Sequence, residues 1–290
     1  MWLSDAWKDY TLLDCAGGEK LERWGDYILR RPDPQAIWNT PKGREWERAD
    51  AVYRRSGSGG GEWTKRQVPA QWSIGFGELR FNVRLMNFKH TGIFPEQASN
   101  WEFIMNTVRS AGRPIRVLNL FAYTGAATIA AAAAGATVCH VDAAKGMVAW
   151  AKENALASGL GEKPIRWIVD DCQKFVEKEI RRGKRYDALI MDPPSYGRGP
   201  TGELWKLEEN LFSFLELCAG VLSENPLFVL ISSYTTGLSP SVLTYLAETV
   251  FTARFPGGHS ESRELGLPVR KTGLILPCGA ACRWLAGGRA

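Results

Sequence analysis

From about residue 100 onward, five short apolar runs alternate with five segments of helical character. Each run is almost continuously apolar, as expected for a strand that helices cover on both faces. Alternating strands and helices fold as βα units, so this part of the chain is predicted to be α/β, with a doubly wound, mostly parallel sheet. The runs are IRVLNLFA (115–122), TVCHVDAA (137–144), IRWIVDDC (165–172), YDALIMDPP (186–194) and LFVLISSY (227–234).

The first 90 residues differ and read as short strands separated by Gly, Pro and Asp. A Gly- and Ser-rich stretch at residues 56–61 is predicted to join two of these strands as a hairpin. We therefore predict a small β-rich domain over residues 1–90 and an α/β domain over residues 91–290. The tail at residues 271–286 is predicted to add two strands, as an antiparallel hairpin at the edge of the sheet.

Seven of the twelve tryptophans lie within residues 2–72, and two interpretations of them stay open. They can form the core of the small domain, since buried aromatic rings dominate the energetics of small cores. Alternatively, some of them can form a platform for stacked bases beside Arg54, Arg55, Lys65 and Arg66. The second interpretation would make residues 1–90 a substrate-recognition domain.

Composition narrows the class of protein. No apolar run is long enough to cross a bilayer, and residues 1–10 carry charges where a signal peptide is apolar, so we predict a cytoplasmic protein without a membrane partner. The net charge of +5 permits an anionic partner such as RNA without requiring one. The six cysteines form no CxxC pair, so reduced thiols and no metal site are predicted. The oligomeric state stays open.

In a parallel α/β sheet, ligands bind beyond the carboxyl ends of the strands. The loop after the first strand, at residues 119–128, has a single glycine, Gly125, and lacks the GxGxxG pattern of a dinucleotide site. This favours S-adenosylmethionine over NAD or FAD. Asp142 follows the second strand, where a carboxylate can accept hydrogen bonds from ribose hydroxyls. After the third strand, Asp170 or Asp171 could accept from an adenine amine, and we prefer Asp171.

The fourth strand ends in Asp192-Pro193-Pro194-Ser195-Tyr196. Two prolines fix the backbone and remove two N–H donors, so the loop presents the Asp192 carboxylate and nearby carbonyls as acceptors in a fixed geometry. Such a loop can hold an amino or ring N–H group and direct its nitrogen toward an electrophile. The glycines of the following residues, 197–205, are predicted to form a mobile lid.

With these motifs in view, the chain resembles a class I S-adenosylmethionine-dependent methyltransferase. More closely, it resembles the bacterial family of large-subunit 23S rRNA cytosine-C5 and guanine-N7 methyltransferases, over about residues 75–285. The segments that carry this resemblance are HTGIFPEQ, VLNLFAYTGAATIAAAAAGATVCHVDAAKGMVAWAKENA, DDC and MDPPSYGRG. The resemblance implies a Rossmann-like fold, S-adenosylmethionine as cofactor, and RNA, most readily rRNA, as partner.

The resemblance also implies roles for individual residues. Residues 94–97 match a segment that closes over the methionyl end of the cofactor, although Glu96 replaces the family's usual Asp. The family's N-terminal PUA domain has no counterpart in this sequence. The residues implied to bind the cofactor are Phe94, Pro95, Glu96, Gln97, Asn119, Phe121, Tyr123, Thr124, Gly125, Asp142, Asp171 and Cys172. Those implied to be catalytic are Asp192, Pro193, Pro194, Ser195 and Tyr196.

One difference from the C5 members of this family indicates which kind of atom is methylated. Methylation at cytosine C5 needs a cysteine thiolate to activate the ring, and C5 members carry that cysteine after the fifth strand. Here residues 231–237 read ISSYTTG and contain no cysteine. We therefore expect transfer to a nitrogen of a nucleic-acid base, which needs only positioning and loss of a proton. Two alternatives stay open: a small-molecule or protein acceptor, and a non-catalytic RNA-binding factor.

Overall fold

The structure is a computed structural model, and it describes residues 1–57, 60–198 and 204–287. The chain forms two compact units. The smaller comprises Met1–Ser99 and Leu265–Cys278, and the larger comprises Asn100–Glu264 and Gly279–Ala290. The predicted boundary at residue 90 differs from this division, in which residues 91–99 and 265–278 group with the N-terminal part. Within the described ranges, no helix is both long enough and apolar enough to span a membrane.

The smaller unit is built mainly from short antiparallel strands. One sheet has the order β2-β3-β4-β5-β6, and β7 and β8 form a separate two-stranded sheet. The pair β4–β5 is parallel, because residues 33–50 carry the chain back to the same end of the sheet before β5 begins. The strands are β1 (Trp2–Leu3), β2 (Tyr10–Ala16), β3 (Glu19–Trp24), β4 (Tyr27–Pro32), β5 (Ala51–Arg55), β6 (Gly61–Arg66), β7 (Trp72–Phe76) and β8 (Leu79–Val83).

Tryptophans contribute to the core of the smaller unit. Trp24, Trp46 and Trp63 are buried, which confirms the core interpretation for these three residues. The core also contains an ion pair, since Arg31 donates two hydrogen bonds to the fully buried carboxylate of Glu22, at 2.6 and 2.8 Å. A buried charge of this kind is tolerated only when its partner and hydrogen bonds are in place.

The larger unit contains the five predicted βα units. Its sheet has the order β17-β15-β12-β9-β10-β11, with all pairs parallel except β17, which runs antiparallel to β15. The strands are β9 (Arg116–Leu120), β10 (Thr137–Asp142), β11 (Ile165–Val169), β12 (Ala188–Met191), β13 (Tyr196–Arg198), β14 (Leu204–Lys206), β15 (Phe228–Ser233), β16 (His259–Pro268) and β17 (Ile275–Leu285). The helices are α1 (Ala98–Ser110), α2 (Ala126–Ala133), α3 (Lys145–Ala157), α4 (Cys172–Arg181), α5 (Leu207–Ala219) and α6 (Pro240–Ala247).

Two parts of the sheet prediction were wrong. The tail forms one eleven-residue strand, β17, instead of two, and its neighbour is β16, which the Glu- and Ser-rich sequence HSESRE did not suggest. In the smaller unit, Leu265 and Gly266 of β16 pair in parallel with β1. The predicted lid contains a short antiparallel hairpin of β13 and β14, while residues 199–203 of that lid lie outside the described residues.

The sheet of the larger unit is covered by a continuous apolar core. Leu118 and Leu120 of β9 point into it together with Leu189 and Met191 of β12, and the apolar residues of α4 and α5 fill the same space. Because side chains alternate along a strand, Asn119 points to the opposite face of the sheet. This arrangement fixes the strands, so the loops that follow them start from defined positions.

Candidate active site

The carboxyl ends of four strands lie side by side in register. Leu120, the last residue of β9, is paired with Val141 of β10 and with Met191, the last residue of β12. Met191 is in turn paired with Ile231 of β15. Neighbouring strands are about 5 Å apart, so the loops that begin at residues 121, 143, 192 and 234 leave the sheet at one edge. This is the edge at which the sequence predicted a ligand.

The loop after β9 (residues 121–125, the β9 loop) has an unusual backbone. Phe121 and Tyr123 adopt left-handed conformations with φ of 53° and 50°, and Gly125 has φ of 85°. Left-handed conformations in bulky residues cost on the order of 1–3 kcal/mol each and persist only where the surroundings enforce them. Phe121 and Tyr123 thus make a tight turn that glycines would ordinarily make, and the sequence pattern gave no sign of this conformation.

Hydrogen bonds from neighbouring elements hold the β9 loop. Asp142 accepts from the backbone N–H of Tyr123 at 2.8 Å, and the Cys172 thiol sulfur accepts from the N–H of Phe121 at 3.2 Å. The carbonyl of Thr124 accepts from the Asn154 side chain at 2.9 Å. Three of the predicted site residues in this loop are therefore brought together with Asp142 and Cys172.

Gly125 sets the distance between the β9 loop and helix α3. A Cβ atom at this position would lie 2.8 Å from the Cβ of Ala151 and 3.3 Å from its Cα. Contacts this short are not tolerated against a helix backbone, so only glycine fits without displacement of α2 or α3. The single glycine of the loop is thus required by packing as well as by its positive φ.

Asp142 is a carboxylate adapted to neutral hydrogen-bond donors. Burial raises its pKa, and the hydrogen bonds from the N–H groups of Ala144 and Tyr123 offset part of that rise. No cation is among the groups that shift the pKa of this described carboxylate. Each oxygen accepts one backbone hydrogen bond and has a second lone pair, which suits the hydroxyls of a ribose. The donor set therefore fits the nucleoside part of S-adenosylmethionine.

Asn119 lies in a buried hydrogen-bonded chain. Its side-chain amide donates to the Thr128 hydroxyl at 2.9 Å, and that hydroxyl is 2.9 Å from Nδ1 of His140. Asn119, Thr128 and His140 are all buried, and burial lowers the pKa of His140 to about 3. The Asn119 side chain thus connects β9 to the first turn of α2, and its role in cofactor binding stays a prediction.

The two acids that follow β11 have different surroundings. Both oxygens of Asp170 are engaged, one by Lys178 Nζ at 2.6 Å and the other by the N–H of Asp171 at 3.0 Å. Asp171 caps helix α4 through one oxygen, which accepts from the N–H of Lys174 at 2.9 Å. Cys172 is buried and its pKa is raised by burial, so its thiol supports Phe121 rather than facing solvent.

The loop after β12 (residues 192–195, the β12 loop) is fixed on one side. The carbonyl of Pro194 accepts from the indole N–H of Trp205 at 2.6 Å, and the carbonyl of Ser195 accepts from the N–H of Leu207 at 3.0 Å. The Ser195 hydroxyl accepts from Thr235, which follows β15, at 2.7 Å. Two of the backbone carbonyls that the sequence suggested as acceptors therefore hold the loop itself. The loop also contains the Asp192 carboxylate and the carbonyls of Asp192 and Pro193, which are acceptors by type.

Trp205 connects the β12 loop to the β9 loop, and sequence reasoning did not identify it. Its ring contacts Phe121, at 5.5 Å between ring centroids, and Phe214 of α5, at 5.6 Å. The same side chain donates the hydrogen bond to Pro194. An aromatic residue directly after a Gly-rich segment was the available signal. Tyr196, predicted as catalytic, lies on β13 opposite Lys206 and is 58% exposed.

Residues 94–97 belong to the smaller unit. Pro95–Gln97 forms a single 3₁₀ turn, in which the carbonyl of Glu96 accepts from the Ser4 hydroxyl at 2.7 Å and that of Pro95 accepts from the Trp7 indole at 2.9 Å. Glu96 is buried, and among the described residues its Oε2 has no hydrogen-bond partner. Burial raises the pKa of Glu96, although Lys20 acts in the opposite direction. A buried carboxylate oxygen without a partner indicates a missing donor.

All six cysteines are free thiols, of which five are buried and Cys278 is half-buried. Across residues 1–57, 60–198 and 204–287, no group of three or more His, Cys, Asp or Glu side chains is arranged to hold a metal ion.

The sequence model of S-adenosylmethionine-dependent methyltransferases matches residues 27–209, more than half of the chain. The chain belongs to the S-adenosylmethionine-dependent methyltransferase family. Similarity to a solved structure extends over nearly all of this methyltransferase: the SAM-dependent methyltransferase from Agrobacterium tumefaciens is 39% identical, with a TM-score of 0.91 over 98% of this chain and 92% of that one. The predicted fold class and cofactor are thereby confirmed.

More distant relatives match only in part or only in fold. The ribosomal RNA large subunit methyltransferase K/L of Methylococcus capsulatus is 31% identical over 145 residues, which are 49% of this chain and 19% of that protein. The chain thus matches about one fifth of the length of this curated relative. A structure of SMU.776 complexed with SAH is 20% identical, with a TM-score of 0.74 over 97% of this chain and 76% of that one, which shows a shared fold. The resemblance to large-subunit rRNA methyltransferases found in the sequence is confirmed.

Proposed function

We propose that this methyltransferase transfers a methyl group from S-adenosylmethionine to a nitrogen of a nucleic-acid base, with rRNA as the substrate. The observation that carries the proposal is the pairing of Leu120 with Met191, which starts the β9 and β12 loops side by side at one edge of the sheet. A cofactor held at the first loop and an acceptor held at the second would then be adjacent. An rRNA substrate would place the protein in the cytoplasm.

Residues at the ends of β9, β10 and β11 would hold the cofactor. In this proposal Asp142 accepts hydrogen bonds from the ribose, Asp171 accepts from the adenine amine with the oxygen that does not cap α4, and the β9 loop supports the methionyl part. Residues 94–97 would bind the methionyl end, and Oε2 of Glu96, which has no hydrogen-bond partner among the described residues, could accept from an ammonium group. When bound, S-adenosylmethionine supplies an electrophilic methyl group on a sulfonium.

The β12 loop would hold the acceptor. The carboxylate of Asp192 and the carbonyl of Pro193 are acceptors, so they can take hydrogen bonds from the N–H groups of a base and direct the nitrogen lone pair toward the methyl group. Trp205, Leu207 and Thr235 hold the rest of this loop, which limits the orientations that the acceptor can adopt. Positioning of this kind can supply a large part of the rate enhancement.

Nitrogen is favoured over carbon by the state of Cys172, the cysteine that contacts the β9 loop. Cys172 supports the β9 loop, but it is buried, its sulfur accepts a backbone hydrogen bond, and its pKa is raised by burial. A thiol in this state is a poor nucleophile, because the thiolate is the reactive form. The residues that follow β15 supply hydroxyls, such as Thr235, which bonds Ser195 instead of activating a base.

The substrate assignment is supported by the matched relatives, which include the ribosomal RNA large subunit methyltransferase K/L of Methylococcus capsulatus. Residues 1–90 would then recognise the RNA and residues 91–290 would carry the methyl transfer. Nucleoside mass spectrometry of rRNA from cells with and without this protein tests the substrate directly. A methylated base that is lost with the protein and restored by re-expression is expected; unchanged rRNA nucleosides would favour a small-molecule or protein acceptor.

The role of the β12 loop is tested with Asp192→Asn. This variant should lose at least about 100-fold in methyl transfer, in the range seen for removal of a positioned catalytic group, while its affinity for S-adenosylmethionine in calorimetry stays unchanged. Glu208→Gln, in the first turn of α5, removes an exposed carboxylate nearby and serves as the matched control. Full activity in Asp192→Asn would refute the assigned role, and loss of cofactor binding in both the variant and the control would point to damage of the fold.

A further inference from the structure

A tight turn in the smaller unit holds an aromatic ring in solvent. Residues 84–91 fold back on themselves through hydrogen bonds from Arg84 N–H to the carbonyl of Thr91 and from Met86 N–H to that of His90, both at 3.2 Å. Phe88 lies at the tip of this turn, and 60% of its surface is exposed. A large apolar side chain in water is not unusual by itself. Phe88 differs from an ordinary exposed apolar residue because buried side chains fix the backbone on either side of it.

Two buried side chains fix the tip. The Trp63 indole N–H donates to the carbonyls of Met86 and Phe88, at 2.9 and 3.2 Å. The Arg31 guanidinium donates to the carbonyl of Lys89 at 2.9 Å. Trp63 and Arg31 are only 7% and 5% exposed. The ring of Phe88 is therefore presented from a backbone that is anchored to the core of the smaller unit.

Both cations and acids lie near the tip, and Lys89 Nζ donates to the carbonyl of Pro32 at 3.4 Å. Burial lowers the pKa of Lys89, and repulsion from Lys20, Arg31 and Arg55 lowers it further, while Asp33 acts in the opposite direction. Arg55 is exposed and follows Tyr53, whose ring contacts Trp63 at 5.5 Å between centroids. Glu22 and Asp33 offset the charges of Lys20 and Arg31, so Arg55 and Lys89 are the cations that can attract an anion to this tip.

We propose that Phe88 is a base-stacking residue for single-stranded RNA, with Lys89 and Arg55 as the cations that contact its phosphates. The proposal rests on the nucleic-acid substrate inferred above. Every base has a π face, so a fixed exposed ring beside cations binds single strands with little dependence on sequence. A protein partner would instead need a contiguous apolar patch, whereas the neighbours of Phe88 at this tip include charged groups. Trp63 has a supporting role in this proposal, because its indole N–H holds the backbone that presents the Phe88 ring.

The test uses the full chain and a fluorescein-labelled 12-nucleotide RNA of mixed sequence, with anisotropy as the readout. Phe88→Ala should weaken binding by roughly 5- to 150-fold, the range that base–aromatic stacking supports. Phe88→Trp should retain or improve binding, because it keeps a stacking ring. Ile37→Ala is the matched control, since Ile37 is an exposed apolar residue of the same unit at 82% exposure. Lys89→Gln should weaken binding and reduce its salt dependence.

The outcomes separate this inference from the proposed function. If the wild type binds the RNA and Phe88→Ala binds as tightly as Ile37→Ala, the stacking role is wrong and the nucleic-acid substrate stands. If Phe88→Trp loses as much affinity as Phe88→Ala, the ring does not stack. If the wild type neither binds nor methylates RNA, both proposals fall. Calorimetry with S-adenosylmethionine should give the same affinity for all variants, which excludes global misfolding as the cause.

Discussion

Replacing Gly125 with Ala tests whether the β9 loop is held by close contact with α3. Two costs are expected. Alanine in a left-handed conformation costs about 1–2 kcal/mol, and a Cβ only 2.8 Å from the Cβ of Ala151 adds an overpacking cost of about 1–3 kcal/mol. Gly135→Ala isolates the first cost. Gly135 has a φ of 100° at the other end of α2, and no atom of the described residues outside its immediate neighbours lies within 4 Å of the point that its Cβ would occupy.

Thermal unfolding and calorimetry measure the difference between these two variants. At about 2–4 °C per kcal/mol for a domain of 150–250 residues, Gly125→Ala should melt roughly 2–12 °C below Gly135→Ala. It should also bind S-adenosylmethionine more weakly, because relief of the contact with Ala151 displaces the β9 loop. Equal melting temperatures for the two variants would refute the argument, because Gly125→Ala would then show no overpacking cost beyond the conformational cost that both variants share.

Three further changes have defined outcomes. Trp205→Phe removes the N–H that bonds Pro194 and should lower kcat/KM by about 2- to 13-fold, equivalent to about 0.5–1.5 kcal/mol, with cofactor affinity unchanged in calorimetry. Because burial raises the pKa of Asp142, cofactor affinity should fall as the pH is lowered into the carboxyl range, and Asp142→Asn should abolish that dependence in a pH titration. Burial alone would raise the pKa of Glu22, but the charges of Arg31 and Lys20 and the hydrogen bonds from Arg31 and Tyr10 together outweigh it, and the pKa falls to about 2. The contribution of this carboxylate to the free energy of unfolding should therefore be complete above its unfolded pKa of 4.5 and be lost as the pH falls toward 2. The variant Glu22→Gln should melt at a lower temperature over the whole pH range, because it leaves Arg31 unpaired at a cost of about 3–5 kcal/mol.

The order of elements in the larger unit could be predicted because its strands are buried on both faces. A run such as LIM in β12 has few alternatives to a central strand when helices flank it. Strand β16 was missed because its first half, HSESRE, is polar and exposed, so neither apolar alternation nor β-branched residues mark it. Its pairing depends on contacts with distant parts of the chain, which local sequence does not encode.

The positions of the acidic residues at the candidate site could be predicted from residue type and place in the chain. The backbone conformation of the loops could not. Asp142 and Asp192 follow buried strands, and position in the chain is enough to place them at one edge of the sheet. The left-handed backbone of Phe121 and Tyr123 could not be predicted, because bulky residues rarely adopt it. Trp205 was missed for a related reason: its contacts join three segments that are separated in sequence.

Trp205 makes two separable contacts, one with the strained β9 loop and one with the rigid β12 loop, and so fixes both loops at once. Its ring retains Phe121, which stays in a left-handed conformation only while its surroundings enforce it, and its N–H retains Pro194. Trp205→Phe keeps the first contact and loses the second, so only transfer should weaken. Trp205→Ala loses both contacts, so the β9 loop can relax and cofactor affinity should fall as well. If Trp205→Ala binds the cofactor as tightly as the wild type, then other contacts, such as that of Cys172 with Phe121, are sufficient to keep Phe121 in its left-handed conformation.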